Sequence, residues 1–246
     1  MKRAGALLLA LASSLAAADE LEWRPPFITT PPEVVERMLE MAATRPDDLV
    51  VDLGSGDGRI VIAAAQKFGA RGLGIELDGA LVETSRRNAR AAGVAERVSF
   101  LQGDALTADL SRASVVTVYL LPALMAKLQP RFIDELAPGT RIVSHAFAMA
   151  GWAPDAVADV TLKQRHSGQG DESRLHLWIV PADVRGVWRA PGVQVRIEQN
   201  YQRIEVEGAR SARISGREIR WDNFTGRVEG DRIVGELNGR AVELRR

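Results

Sequence analysis

The sequence contains no cysteine, which excludes disulfides, thiolate metal sites and cysteine nucleophiles together. It holds three histidines, His145, His166 and His176, and no carboxylate cluster completes a metal site around them. Net charge is also missing. The 32 basic residues balance 32 acidic ones, so no global basic field exists to hold nucleic acid. Lysine is scarce, with Lys2, Lys67, Lys127 and Lys163 the only four, a bias that fits a GC-rich genome. What is present is an ordinary globular mixture. Hydrophobic residues make up 46% and charged residues 26%, which excludes wholesale disorder. A length of 246 residues allows one large domain, or a medium one with a small appendage.

The N-terminus reads as an address label. Met1-Lys2-Arg3 is a positive start, Ala4 to Ala18 is an uncharged Leu/Ala-rich stretch, and Ala16-Ala17-Ala18 precedes Asp19-Glu20. This is the layout of a secretory signal peptide over 1–18. A bilayer span takes about 20 apolar residues, so the stretch is short for an anchor. The expected location is periplasmic or secreted; the alternatives are an uncleaved N-terminus holding the chain to the inner membrane, and a mis-assigned start. Residues 184–246 carry 13 arginines, no lysine and nine acids. That is a net of about +4, leaving 19–183 at about −6. The opposite signs point to two units, 19–183 and 184–246.

The first unit alternates strands and helices. Strands are expected at 49–53, 71–76, 98–101, 114–121 and 141–145, and helices from near Pro32 and over 59–68, 79–92 and 124–136. Such alternation means βαβ units: an α/β, doubly wound, Rossmann-like sheet, mostly parallel. Runs at 157–165 and 174–180, around Ser167-Gly168-Gln169-Gly170, predict an antiparallel hairpin closing its edge. From Val184 on there are only short alternating runs, at 193–199, 202–207, 212–215, 218–221, 225–229, 232–236 and 241–244. Glycine turns between them predict a small antiparallel β-meander, a barrel or half-barrel.

The candidate site is the loop Asp52-Leu53-Gly54-Ser55-Gly56-Asp57-Gly58, where the first strand ends and a helix begins. Glycines there let the backbone turn and approach a ligand. The dinucleotide fingerprint G-x-G-x-x-G needs a third glycine where Arg59 stands. An acid before the loop and another within it suit a cationic ligand better than a pyrophosphate. S-adenosylmethionine has a sulfonium, an ammonium and no phosphate. Glu76 ends the second strand, where a carboxylate takes both ribose hydroxyls. Asp104, followed by Ala105 after the third strand, is placed to accept from an adenine amine. Each feature alone is as well explained by an ordinary turn or a helix N-cap; three at consecutive strand ends point to a ligand.

The glycine run, together with Pro26-Phe27-Ile28-Thr29-Thr30-Pro31 and Arg141 through Trp152, resembles the class I S-adenosylmethionine-dependent methyltransferases over about 27–180. Within them it is similar to the mitochondrial-membrane protein-lysine methyltransferases that act on the ATP synthase c subunit and the adenine nucleotide translocase, and to their bacterial relatives. The resemblance implies S-adenosyl-L-methionine as cofactor, methyl transfer to an amine, with a protein lysine as acceptor, and proximity to a membrane. It also implies that Thr30 and its neighbours fold over the cofactor, beside the plain reading of Thr29-Thr30-Pro31 as a helix N-cap. Many amine- and adenine-methylating relatives carry Asn/Asp-Pro-Pro-Tyr after the fourth strand; here Thr117-Val118-Tyr119-Leu120-Leu121-Pro122 stands instead. That counts against nucleic-acid bases and leaves no obvious general base.

Tyr119 and His145, near the ends of strands four and five, are the catalytic candidates. Tyr119 would orient the amine and His145 would act as base; as plain structure they are a core aromatic and a satisfied strand-end histidine. His166 and His176 read as surface residues of the hairpin. Trp188, Tyr201, Trp221 and Phe224 lie among the arginines of the second unit, a pattern used on single-stranded nucleic acid. Nine interleaved acids make a solvated sheet face the simpler reading. Three functions stay open: a methyltransferase acting on a protein lysine or a small molecule, a non-catalytic module that holds S-adenosylmethionine, and a dinucleotide enzyme, which the missing glycine argues against. An exported chain sits poorly with a charged cofactor made in the cytoplasm. N-terminal sequencing of protein from fractionated cells is expected to begin at Asp19, outside the cytoplasm; intact Met1 in the cytosolic fraction would overturn the export reading.

Overall fold

The structure is a computed structural model that describes residues 28–166 and 170–246. The expected leader, Pro26-Phe27 and the hairpin tip at 167–169 lie outside the described residues. The first sheet has seven strands: β1 (Leu49–Leu53), β2 (Arg71–Glu76), β3 (Val98–Gln102), β4 (Val115–Val118), β5 (Arg141–His145), β6 (Ala156–His166) and β7 (Gly170–Ile179). Their spatial order is β3-β2-β1-β4-β5-β7-β6. All neighbours pair in parallel except at the β5/β7 and β6/β7 contacts, which are antiparallel. The chain moves outward from β1 to β3, then returns to lay β4 against the other side of β1. That reversal opens a crevice at the strand ends, the general ligand position in such sheets.

The strands at the centre read as unbroken apolar runs because helices cover both faces. On one face α1 (Pro32–Met41), α2 (Arg59–Phe68) and α3 (Gly79–Ala91) pack through Met38, Leu39, Val61 and Val82. On the other, α4 (Pro122–Glu135) packs Met125, Leu128 and Phe132 against Val116, Trp152 and Trp178. The far end of the sheet is tied by Asp48, which accepts from Arg141 at 2.5 Å and from the Ser114 hydroxyl at 2.7 Å.

The second sheet has eight antiparallel strands, β8 (Gly186–Ala190), β9 (Val193–Asn200), β10 (Arg203–Val206), β11 (Ala212–Ser215), β12 (Glu218–Trp221), β13 (Phe224–Glu229), β14 (Arg232–Leu237) and β15 (Arg240–Arg245). Their order is β10-β9-β8-β15-β14-β13-β12-β11, so the edge strands are sequence neighbours. Ile214 N–H donates across that seam to Gln202 O at 3.4 Å, and the sheet is a near-closed barrel. Asn238 and Gly239 both take positive φ, 53° and 76°, in the two-residue turn joining β14 to β15, as a hairpin matched to strand twist requires. Alternation turns Trp188, Ile197, Ile214, Trp221, Phe224 and Ile233 inward. Three of the aromatics noted among the arginines are therefore core residues, with Trp221 and Phe224 stacked at 3.8 Å.

Several boundaries differ from expectation. β4 stops at Val118 instead of running to Leu121, because extended Leu121 caps α4, which starts at Pro122. β8 is a strand the pattern missed; its only strong cue is Trp188, and pairing with β9 and β15 defines it. The hairpin strands β6 and β7 run closer to their tip than periodicity indicated. His176 is not a surface residue: it is buried on β7 and stacks on Trp178 at 5.8 Å. Of His166 the side chain is outside description.

The two sheets meet where Tyr201 lies flat on Trp152, 5.0 Å apart at 5°. A chain ending at Pro181 is expected to keep the first sheet and bind cofactor, yet lose about 1–3 kcal/mol of stability as Trp152 is uncovered. Circular dichroism melting and calorimetric titration check this; an unfolded product would move the boundary between the units.

Candidate active site

The glycine loop leaves β1 at Leu53 and turns at once, with Gly54 and Ser55 N–H donating to Ile75 O at 2.9 and 3.0 Å. Gly58 has φ 81°, and a Cβ there would stand 2.6 Å from the Phe100 ring and 2.9 Å from Ser85 Cβ. No other residue fits that turn into α2. From α3, the Ser85 hydroxyl donates to Gly56 O at 2.8 Å and the Asn88 amide donates to Asp57 O at 2.9 Å. Ser55 turns its hydroxyl down toward Gly74, where it is buried without a partner among the described residues.

Glu76 holds the loop from the side. Its Oε2 accepts from Gly56 N–H at 2.8 Å and its Oε1 from Asp78 N–H at 3.0 Å. Each oxygen keeps a further lone pair for a ribose hydroxyl. Asp104 is exposed just past β3, with Oδ1 accepting from Leu106 N–H at 2.8 Å in a tight turn that includes half-buried Ala105.

Asp52 is the buried acid. It faces Thr117 across the β1/β4 pairing, and the Thr117 hydroxyl donates to it at 2.7 Å. Burial pushes its carboxyl up to about 7 against that hydrogen bond, and the charges of Glu76 and Asp57 push the same way. Asp57 is itself half-paired: burial raises its carboxyl, but bidentate Arg59 (2.8 and 2.6 Å) holds it below the ordinary value. Arg59 pairs with Asp57 alone of these three acids, so the cradle carries surplus negative charge.

Arg59, which sequence reasoning used only as a missing glycine, does more. Its Nη1 also donates to Thr30 O at 2.9 Å, pinning the segment before α1 over the loop. Thr30 does not cap α1; Pro31 holds that position and no side-chain cap forms. Instead Thr30 Oγ1 lies 3.3 Å from His145 Nδ1, and His145 Nε2 lies 3.0 Å from the Ser173 hydroxyl. Half-buried Tyr119 lies tilted at 37° against His145, ring centres 4.1 Å apart, and stacks on Phe147 at 6.5 Å. Ala146 between them takes φ 70°, a strained conformation for a residue with a Cβ. Thr30, Tyr119, His145 and Phe147 therefore come together beside the crevice. Phe147 and Ser173 carry no motif, and nothing local in the sequence points to them. Among the described residues no group of three His, Asp or Glu side chains could hold a metal ion.

Comparison with known proteins matches this geometry to chemistry. The family model described as the ANTKMT methyltransferase domain matches residues 52–156. A protein-lysine N-methyltransferase of Saccharolobus islandicus is 43% identical over 136 residues, covering 55% of this chain and 84% of that protein. The chain belongs to this family of S-adenosylmethionine-dependent methyltransferases. The methyltransferase is also 36% identical to the Xenopus laevis lysine N-methyltransferase of the ATP synthase C subunit, over 54% of this chain and 58% of that one. A solved structure described as an RNA methyltransferase from Salinibacter ruber, in complex with S-adenosyl-L-homocysteine, is 48% identical with a TM-score of 0.58. It covers 64% of this chain and 96% of that one.

The cofactor is S-adenosylmethionine, and the residues of the methyltransferase fit it. A cradle of glycines with Asp52, Asp57 and Glu76 against one arginine suits a cation that brings no phosphate. Glu76 would hold the ribose and Asp52 the positive charge of the amino-acid end. Because the folded carboxyl of Asp52 titrates near 7, above its unfolded value of 3.8, the folded chain binds a proton there that the unfolded chain has lost. Stability without ligand falls as pH rises from about 4 to 7. Cofactor affinity runs the other way, because a cation favours the carboxylate. Calorimetric titration from pH 5.5 to 7.0, where the ligand's amine stays protonated, is expected to show affinity rising about tenfold. The Asp52→Asn variant is expected to bind weakly, with a flat profile.

Proposed function

We propose that the methyltransferase acts on the ε-amine of a lysine in a protein. The observation that carries this reading is the ring cluster of Tyr119, His145 and Phe147 on the β4/β5 side of the crevice, opposite the Glu76 side. A flexible aliphatic side chain ending in an amine suits a slot edged by aromatic faces. The names of the Saccharolobus and Xenopus relatives support the same acceptor.

When bound, S-adenosylmethionine supplies a methyl group on a sulfonium, an electrophile with an excellent leaving group. The protein's work is then positioning and dehydration. His145, wedged between the Thr30 and Ser173 hydroxyls, is a fixed platform on which the Tyr119 ring rests. The Tyr119 hydroxyl would orient the incoming nitrogen. A lysine must shed its proton from a reference pKa of about 10.4 before its lone pair can attack. Enclosure by Tyr119 and Phe147 disfavours the ammonium and lowers that pKa.

The test is to incubate the full chain with methyl-labelled cofactor and extract from source cells lacking the gene. Label is expected in protein, sensitive to protease, and recovered as methyllysine after acid hydrolysis. Tyr119→Phe is expected to lower the rate by about tenfold, the scale of one orienting hydrogen bond. Label that is sensitive to ribonuclease would replace lysine with RNA, the acceptor class in the description of the Salinibacter structure. Label confined to small molecules would equally overturn the protein acceptor.

A further inference from the structure

The segment that leaves β5 after His145 and Phe147 runs across the sheet ends to β6, and the barrel holds it there. Tyr201, at φ 55° in the β9–β10 turn, covers the Trp152 ring. Gln129 of α4 donates 2.9 Å bonds to both the Tyr201 hydroxyl and Ala150 O. Gln202 donates to Ala153 O, and Arg213 reaches Asp155 at 3.4 Å. Between loop and turn lies a groove of about 370 Å³, lined among others by Met149, Trp152, Pro154, Asn200, Tyr201 and Arg203. Met149 is two residues beyond Phe147, so the groove continues from the rim of the acceptor side.

Two groups beside this groove lack partners among the described residues. The Trp152 indole N–H is buried with no acceptor, whereas the neighbouring Trp178 indole donates to Trp152 O at 2.9 Å. Arg203, exposed at the groove, makes no ion pair among the described residues. One wall of the groove falls within the region that the family model matches; the other lies in the barrel, beyond its end at residue 156.

We propose that this groove is a second subsite for the methyl acceptor, filled by the polypeptide that flanks the target lysine. The proposal rests on the protein-lysine reading above. An extended peptide brings what the groove lacks: a carbonyl oxygen for the exposed Asn200 amide and an acidic side chain for Arg203. A free amine can enter the Tyr119–Phe147 slot but cannot also span to Met149–Pro154. The barrel thereby selects a protein over a small amine, by completing a surface that the catalytic sheet alone does not have.

The test uses the full chain, labelled S-adenosylmethionine and two acceptors: the purified protein that takes label in the preceding experiment, and a blocked lysine amide with no flanking chain. The variants are Arg203→Glu, on an exposed strand, and Tyr201→Phe, which keeps the ring stack and removes only the hydroxyl. Arg203→Glu is expected to raise KM for the protein at least fivefold, and Tyr201→Phe to raise it less. KM for the cofactor and turnover of the lysine amide should stay unchanged in both variants, and melting temperature in Arg203→Glu; Tyr201→Phe, which loses the Gln129 bond, is expected to melt slightly lower. An unchanged protein KM in Arg203→Glu overturns the subsite and leaves the lysine reading intact. Equal losses on both acceptors also overturn it, because they indicate a general structural role. Failure of the wild-type chain to label any protein overturns both readings together.

Discussion

A buried carboxyl at the point where the sheet reverses its strand order organises this methyltransferase. Asp52 sits on β1, paired on one side with β2 and on the other with β4, and Thr117 of β4 donates to it across the reversal. An ionised carboxylate in such a place is costly without a counter-charge. The upward displacement of its titration to about 7 corresponds to roughly 4 kcal/mol. The Thr117 hydroxyl relieves only part of that cost, since the neighbouring acids worsen it and Arg59 is spent on Asp57. The site is therefore built for a cation before any ligand arrives. Strain of this kind persists only where the surroundings over-determine it. Here they do: Gly58 is wedged under Phe100, and Ser85 and Asn88 hold the loop's carbonyls.

The same economy links cofactor side to acceptor side. Arg59 neutralises Asp57 and, with its remaining nitrogen, anchors Thr30. Thr30 in turn lies against His145, which supports Tyr119. The chain of contacts runs from the glycine loop to the aromatic slot through three side chains, all buried or half-buried. Short polar residues serve this purpose because each hydroxyl both donates and accepts, so it satisfies a neutral histidine in either tautomer.

The barrel's part in the molecule follows from where it touches the catalytic sheet. Its own core of Trp188, Trp221 and Phe224 is closed. Its contacts with that sheet include the turn Asn200–Arg203, set against the loop that follows β5, together with Arg213 on Asp155 and Gly216 beside Gly139. A ring stacked at 5° on a fully buried tryptophan, with a glutamine bridging both sides, is a rigid joint. Rigidity there holds the loop that follows β5 in place beside the Tyr119 and Phe147 rings.

The alternation of apolar runs and helical periods is a local property, so the sequence alone determined the order of βαβ elements, the glycine cradle with Asp52, Asp57 and Glu76, and the change to an all-β pattern after residue 184. Each of those depends on backbone conformations that neighbours within a few residues dictate. The ends of β4, the anchoring of β8 on β15 and the burial of His176 depended instead on pairing partners 32 to 65 residues away. The same holds for the site. Arg59 was visible as a residue but not as a clamp, because Thr30 is 29 positions earlier. Thr30 resembled a helix cap until His145, 115 positions on, took its hydroxyl. Tyr201 was visible only as one of the aromatics among the arginines, not as a joint, since its partner Trp152 belongs to the other sheet. Hydrogen bonds and ring contacts are short-ranged in space and indifferent to sequence separation, so only the folded chain decided which hydroxyl, guanidinium or ring would meet which.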